Sequence, residues 1–319
     1  MASLDHTTPA TRFDSFAVYR TSYKKIGNHE IEVGILVPKD LEPGKHPVIV
    51  KFHGGGLITG DCLYPDWLAA FFIPLIHRNS AITILPNYRL IPEHNGADIT
   101  SDLADFWTWF HNGNVDKYLS SQSRDISLDY EHVLVSGDSA GGYMALMSAL
   151  TLPRDRVQAC LAQYPMTWYL RRSPAEEFLD EPAPGPEIID EHMSSVTPDT
   201  VISSATPPAR MRLSYAMSVF NRYLEFFGDD KKLWPMYLIE DKDWAPPTWI
   251  IHGDADTAVS IEDSREFVEK WKARGMGNEA RLDVREGMEH GFDIGMRENE
   301  EKWLRDGLGW VEGKWLGQG

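Results

Sequence analysis

The sequence predicts an α/β fold, a mostly parallel central sheet flanked by helices with an inserted helical subdomain, and three observations carry that expectation. Short β-branched runs alternate with amphipathic helical stretches along most of the 319 residues, the pattern of a sheet covered on both faces. The runs are closed by Gly, Pro or polar residues. The alternation stops once, from 166 to 245, where prolines sit among Trp, Tyr, Phe and Met. That break assigns 1–165 and 246–319 to one layered domain and 166–245 to a helical cap inserted into it.

The elements follow in order. Two opening strands, 16–24 and 29–37, meet at Gly27-Asn28, a dipeptide suited to a tight antiparallel hairpin. Further strands are expected at 48–52, 82–85, 132–136, 158–162, 248–252 and 281–285, each a short apolar or β-branched run. Helices fill the gaps at 67–77, 101–110, 140–150, 261–274 and 298–310. Within the insertion, Leu213, Met217, Phe220 and Leu224 recur at helical spacing and predict a helix over 211–227. Residues 176–200, rich in Pro, Glu and Ser, read as an irregular or mobile loop.

Composition excludes several classes of function. Lys+Arg number 31 against 48 Asp+Glu, a formal charge of −17 that repels phosphate backbones and anionic lipid surfaces. Nucleic acid and membrane are therefore not expected as partners. Two cysteines far apart in sequence, Cys62 and Cys160, fit neither a disulfide framework nor a structural zinc site. No metal cluster, dinucleotide fingerprint or Walker loop is present, so no cofactor is expected. Residues 1–12 are polar and lack the apolar stretch of a signal peptide, and the expected location is cytoplasmic. Oligomeric state is not readable.

The chemistry concentrates in three stretches. Gly137-Asp138-Ser139-Ala140-Gly141 falls at a strand-to-helix junction, the context that a G-x-S-x-G nucleophile elbow requires. Such a pentapeptide arises by chance in roughly one chain in ten of this length, so alone it is only suggestive. His53-Gly54-Gly55-Gly56 directly follows an apolar strand and is far rarer, about one chain in a few hundred. Backbone without side chains lets amide N–H groups turn toward a carbonyl oxygen as it gains charge. His53 itself reads as a brace for the loop.

A serine nucleophile needs a base and the base an orienting carboxylate, in the chain order Ser, acid, His. The segment His252-Gly253-Asp254-Ala255-Asp256 offers two carboxylates past a strand. Asp256 is favoured over Asp254, which suits a turn-bracing role. Of the eleven histidines only His290 lies beyond Asp256, and His252, at the end of a buried strand, reads as a core residue.

With Asn87-Tyr88-Arg89-Leu90-Ile91-Pro92-Glu93-His94 and Met288-Glu289-His290-Gly291-Phe292, these stretches resemble the hormone-sensitive-lipase-like family of α/β-hydrolase esterases. The resemblance spans about 48–292. It implies a catalytic triad of Ser139, Asp256 and His290, an oxyanion hole from the amides of Gly55, Gly56 and Ala140, and a lid over 166–245. Residues 88–93 are implied as structural support. The chain departs from the family in two places: its first strand begins near Phe16, without a long N-terminal helical segment before it, and Asn95-Gly96-Ala97-Asp98 replaces the usual Pro-Phe-Pro.

The function expected is that of a serine carboxylic-ester hydrolase working through an acyl-enzyme on a small to medium, apolar or aromatic ester. Trp168, Tyr169, Tyr215, Met217 and Phe220, with Trp234, are the candidate substrate-binding residues, since ligand pockets are mostly apolar. Three alternatives stay open. The same residues serve an acyltransferase or thioesterase, or acid–base chemistry such as elimination or cyclisation in a specialised pathway. A non-catalytic small-molecule receptor has no use for a complete triad.

Overall fold

Where a site forms in an α/β sheet depends on the order of its strands, and that order follows from how each run is punctuated. The computed structural model describes residues 4–169, 177–179, 181–197, 199–276 and 279–317. Strands β1 (Phe16–Ile26) and β2 (His29–Pro38) pair antiparallel with Ile26 opposite His29, and Gly27 turns the chain at φ 57°. Glycine reaches that φ without steric cost. The sheet continues with β3 (Gly44–Phe52), β4 (Ile82–Pro86), β5 (Ile126–Asp138) and β6 (Ala159–Gln163). A small ribbon, β7 (Glu177–Phe178) with β8 (Glu181–Pro182), lies apart, and β9 (Thr248–Gly253) and β10 (Ala280–Arg285) close the sheet.

The strand order is β1-β2-β4-β3-β5-β6-β9-β10. β2 runs antiparallel to both of its neighbours, and from β4 onward every pairing is parallel. The chain leaves β3 for β4 on one side and returns to β5 on the other, so the order reverses at β3. Crevices outside the carboxyl ends of strands at such a reversal are where α/β folds bind ligands.

Helices cover both faces: α1 (Phe72–Arg78), α2 (Gly96–His111), α3 (Asn114–Ser121), α4 (Ala140–Thr151), then α5 (Glu187–Ser195), α6 (Met211–Val219), α7 (Tyr223–Phe227) and α8 (Pro235–Leu238) between β6 and β9, and finally α9 (Ile261–Ala273) and α10 (Lys302–Trp315). The side-chain alternation of strands explains the two cores. Val133 and Val135 of β5 join one core with α2, α4 and α9, whereas Leu134 joins the other with α1 and α10. No helix among the described residues is long and apolar enough to cross a membrane.

Several elements differ from their sequence expectation. The helix expected at 67–77 starts only at Phe72, after a single 3-10 turn at Pro65–Trp67. The helix expected over 211–227 is two, α6 and α7, because Asn221 between them takes φ 54°. The stretch 176–200 is not wholly irregular: it holds the β7–β8 ribbon and α5, although 176, 180 and 198 lie outside the described residues, as do 170–175 of the inserted segment. At Asn95-Gly96-Ala97-Asp98 the local departure has a structural use. Asn95 caps α2 in a reciprocal box with Asp98, and a Cβ on Gly96 would meet the Phe227 ring at 2.8 Å, so α7 packs directly on the start of α2.

The segment between β6 and β9 is fastened to the rest at two places. Gly60 and Ala205 exchange hydrogen bonds at 2.8 and 2.7 Å, Leu90 N donates to the Ile202 carbonyl at 2.8 Å, and Thr59 Oγ1 donates to the Ala209 carbonyl at 2.6 Å. Buried Glu93 accepts from Arg210 Nη2 at 2.6 Å and pairs with His192 Nε2 at 2.8 Å.

Candidate active site

The strand-to-helix junction gives the site its centre. β5 ends at Asp138, α4 begins at Ala140, and Ser139 between them is held at φ 54°, ψ −115°. A non-glycine residue reaches such a conformation only when its surroundings enforce it. Here they do: Ser139 N donates to the Gln163 carbonyl at 2.8 Å, and the Ser139 carbonyl accepts from Tyr143 N at 3.0 Å and Met166 N at 3.2 Å. The flanking glycines are required by close approach. A Cβ on Gly137 would run into the backbone of Gly141, and one on Gly141 would run into the Phe52 carbonyl of β3. Asp138 turns away to a buried ion pair with Lys51, whose Nζ also donates to the Trp67 carbonyl at 3.2 Å.

At the end of β3, the loop of Gly54 to Gly56 is fixed by its carbonyls. The Gly54 carbonyl faces His53 Nδ1 at 2.9 Å, and the Gly55 carbonyl accepts from Ile58 N and Thr59 N, both at 3.0 Å. Each peptide plane thereby turns its N–H, of Gly55 and Gly56 respectively, away from those partners. Among the described residues the amides of Gly55, Gly56 and Ala140 donate to no protein acceptor. Gly55 and Gly56 take φ 90° and 64°. Burial depresses the basicity of His53, so it serves the loop as a neutral donor, stacked on Tyr88 at 4.5 Å, while Tyr88 Oη donates to the His53 carbonyl at 2.7 Å. From the inserted segment, Tyr223 Oη donates to the Gly56 carbonyl at 2.7 Å.

The two carboxylates after β9 separate clearly. Asp254 is exposed and accepts from Gly287 N at 2.7 Å, bracing a turn. Asp256 is fully buried and lies 2.7 Å through Oδ2 from His290 Nδ1, while its Oδ1 accepts from the amides of Ala258 at 2.8 Å and Val259 at 2.7 Å. Burial alone would raise the pKa of this carboxyl. The nearby His290 and hydrogen bonds from His252 and His290 outweigh it and hold Asp256 well below the usual carboxylate range. With Nδ1 on Asp256, His290 has Nε2 left for the cavity that it lines together with Ser139. The imidazole reaches its carboxylate directly; among the described residues it makes no hydrogen bond to Ser139 Oγ.

Tyr164 completes the wall. Its ring packs on that of His290 at 4.4 Å, and its hydroxyl donates to buried Asp293 at 2.8 Å, which also accepts from Gln163 Nε2 at 2.6 Å. Burial raises the Asp293 carboxyl above its ordinary value.

These groups open on one cavity of about 170 Å³. Gly55, Gly56, Ser139, Tyr164 and His290 line it from the strand ends, and Tyr169, Tyr215, Ser218 and Tyr223 face them from the inserted segment. Ala140 is buried directly behind the serine. Of the residues singled out as substrate-binding, Tyr169 and Tyr215 reach the cavity, whereas Trp168, Met217 and Phe220 do not. Trp168 packs on Trp234 and Tyr237, Met217 is fully buried, and Phe220 packs beside Val219 and Ala258. A helical stripe marks burial, not which neighbour a side chain meets. Sequence reasoning missed Tyr223, the Tyr164–Asp293 pair and the approach of His252 Nε2 to Asp256 at 3.1 Å. Only the last left a signal, a histidine four residues before the acid.

Comparison with known proteins bears on family and fold. A model of the α/β hydrolase fold matches residues 49–294. A probable carboxylesterase, M8, of a Phoma species is 27% identical over 317 residues, covering 96% of this chain and 98% of the relative. The non-reducing polyketide synthase Preu3 of Preussia isomera is 26% identical over 324 residues, which cover 85% of this chain but 12% of the synthase. Among solved structures, the apo form of esterase 2 from Thermogutta terrifontis superposes with a TM-score of 0.59 at 22% identity over 96% of each chain, a likeness of fold.

Proposed function

From its membership of the α/β-hydrolase fold, in the hormone-sensitive-lipase-like branch, the chain is an esterase-type hydrolase, and we propose that it cleaves small to medium apolar or aromatic carboxylic esters through Ser139, His290 and Asp256. The observation that carries the proposal is the shared cavity: a serine on a strained turn, an imidazole backed by a buried carboxylate, and two glycine amides without protein acceptors all border it.

The chemistry follows from these positions. His290 Nε2 takes the proton of Ser139 as its oxygen attacks the ester carbonyl, and Asp256 keeps the imidazole in the Nδ1–H tautomer and stabilises its cation. The amides of Gly55, Gly56 and Ala140 receive the oxyanion, each such donor contributing about 3 kcal/mol at the transition state. The alcohol leaves with the proton from His290. Water, activated by the same histidine, then releases the acid from Ser139. Residues 166–245 act as a lid, the rest of the chain as the catalytic domain. A cavity of this size accepts a group on the order of a benzene ring, which supports a small acyl or alcohol portion. Cys62 and Cys160 are buried free thiols, which supports a reducing, cytoplasmic setting.

A second reading, transfer of the acyl group to an alcohol or its release from a thioester, draws support from the match between most of this chain and a segment of a polyketide synthase. Both readings need Ser139. A panel of p-nitrophenyl esters of increasing acyl length, run on wild type and on Ser139→Ala, tests the first. Turnover should fall by roughly four to six orders of magnitude in the variant. Undiminished hydrolysis there would remove the serine from the mechanism. Rapid acyl-enzyme formation with slow release to water and fast release to an added alcohol would favour transfer.

A further inference from the structure

Asp256 is held by more donors than the orientation of one imidazole requires. Beside two backbone amides on Oδ1, its Oδ2 is shared by His290 Nδ1 at 2.7 Å and His252 Nε2 at 3.1 Å. The surroundings of His252 fix its tautomer. Nε2 faces only acceptors, Asp256 Oδ2 and the Val259 carbonyl at 3.0 Å, so Nε2 carries the proton. Nδ1 lies 2.8 Å from the Ser264 hydroxyl of α9. The side chains of His252 and Asp256 are both fully buried, so no bulk water competes for this contact. The other titratable groups around the pair are Tyr164, with its ring 6.5 Å from that of His252, Asp293 and Asp138 on the far side of Tyr164, and Glu289, whose Oε1 accepts from the amides of Thr257 and His290. Among the described residues none of these donates to Asp256.

We propose that His252 is a positioning residue for ester hydrolysis: through its Nε2–H it aims Oδ2 of Asp256 at His290 and weakens that oxygen as a proton acceptor. The proton taken from Ser139 therefore stays on His290, where the leaving alcohol needs it, and Asp256 remains an anion throughout the cycle. This inference rests on the reading of Ser139, His290 and Asp256 as the catalytic set. It assigns work to a side chain that its sequence position marks only as strand core.

The test compares pH profiles of kcat/KM for a p-nitrophenyl ester in wild type, His252→Phe and His252→Gln. Phenylalanine keeps a buried ring without the Nε2–H, and glutamine returns an N–H donor near the same point. His252→Phe should lower kcat about tenfold with KM little changed. It should also move the acid limb upward by about half a pH unit, because an Asp256 charge shared with fewer donors holds the His290 proton more tightly. His252→Gln should return both toward wild type, a rescue that a space-filling role would not give. An unmoved limb and unchanged kcat in a folded Phe variant, or a Gln variant as slow as Phe, overturns the proposal. If the Phe variant does not fold, Ser264→Ala, which releases the His252 ring, decides by the same limb: a smaller upward shift supports the proposal and none overturns it. Fluorophosphonate labelling of Ser139 separates the two levels. An unlabelled wild type sinks the catalytic set itself, whereas a labelled wild type beside unaffected His252 and Ser264 variants sinks only the role of His252.

Discussion

On the strand side of the cavity, Ser139, the glycine loop and Asp256 keep their places through backbone: carbonyls pinned by amides, glycines packed against neighbouring main chain, a carboxylate capped by two N–H groups. On the opposite side, Tyr169, Tyr215, Ser218 and Tyr223 of the segment between β6 and β9 are carried by short helices and the stretches between them, and they reach the strand side through side-chain hydroxyls such as that of Tyr223. The first arrangement admits almost no substitution, because a main chain in contact with main chain has nowhere to move. The second exchanges individual contacts at modest cost. A rigid half suited to fixed chemistry thus faces a half suited to varied substrates.

Three substitutions sharpen or break this contrast, beginning with the most damaging. Gly141→Ala drives a methyl group into the Phe52 carbonyl, where α4 packs main chain to main chain on the end of β3. We expect a loss of about 3 kcal/mol or more in urea unfolding and loss of esterase activity together. A soluble, fully active variant would show that the strand side yields more than its packing implies. Tyr223→Phe is gentler, removing one hydroxyl from the Gly56 carbonyl. It should cost about 1 kcal/mol, read as a roughly fivefold fall in kcat/KM at unchanged thermal midpoint. A fall as deep as that of Ser139→Ala would place Tyr223 among the reacting groups and erase the distinction between the halves.

Asp293→Asn should have the smallest effect and concerns the strand side alone. Burial raises the folded-state pKa of Asp293 above its unfolded value near 3.9, and the hydrogen bonds from Tyr164 and Gln163 only partly offset this. Such a group favours folding fully below the unfolded value, and that contribution is lost as pH rises through the folded one. The wild-type thermal midpoint therefore falls across that window by an amount the Asn variant does not show. A turn of the Gln163 side-chain amide, which brings its Oε1, without a hydrogen-bond partner among the described residues, to the new N–H, keeps that contact in the variant. A gain on the order of 1–2 °C at neutral pH, vanishing near pH 4, is expected from thermal melts at both pH values. A gain of equal size at both would mean that charge is not its cause.

The strands were legible because each is a short apolar run closed by a breaker, and the hairpin because Gly27-Asn28 announces it. The elbow and the glycine loop were legible for a stronger reason: close main-chain approach leaves glycine as almost the sole solution, and it shows as letters in the sequence. What stayed hidden has equally physical causes. Helix α5 buries only Ile189 and so has no apolar stripe to display. Helix α3 is eight residues long with two buried side chains, Val115 and Leu119, too few for a period to register. The split between α6 and α7 turns on the positive φ of Asn221, one residue in an otherwise continuous pattern. Met217 and Tyr215 lie two positions apart on one helix and so on opposite sides of it; which side borders the cavity, that of Tyr215, is set by tertiary packing.

The paired hydrogen bonds between Gly60 and Ala205 act as a seam between the glycine-loop region and the segment that joins β6 to β9. A segment hydrogen-bonded beside the glycine loop does not lift off in one piece, since detaching it would pull on the very turn that carries the amides of Gly55 and Gly56.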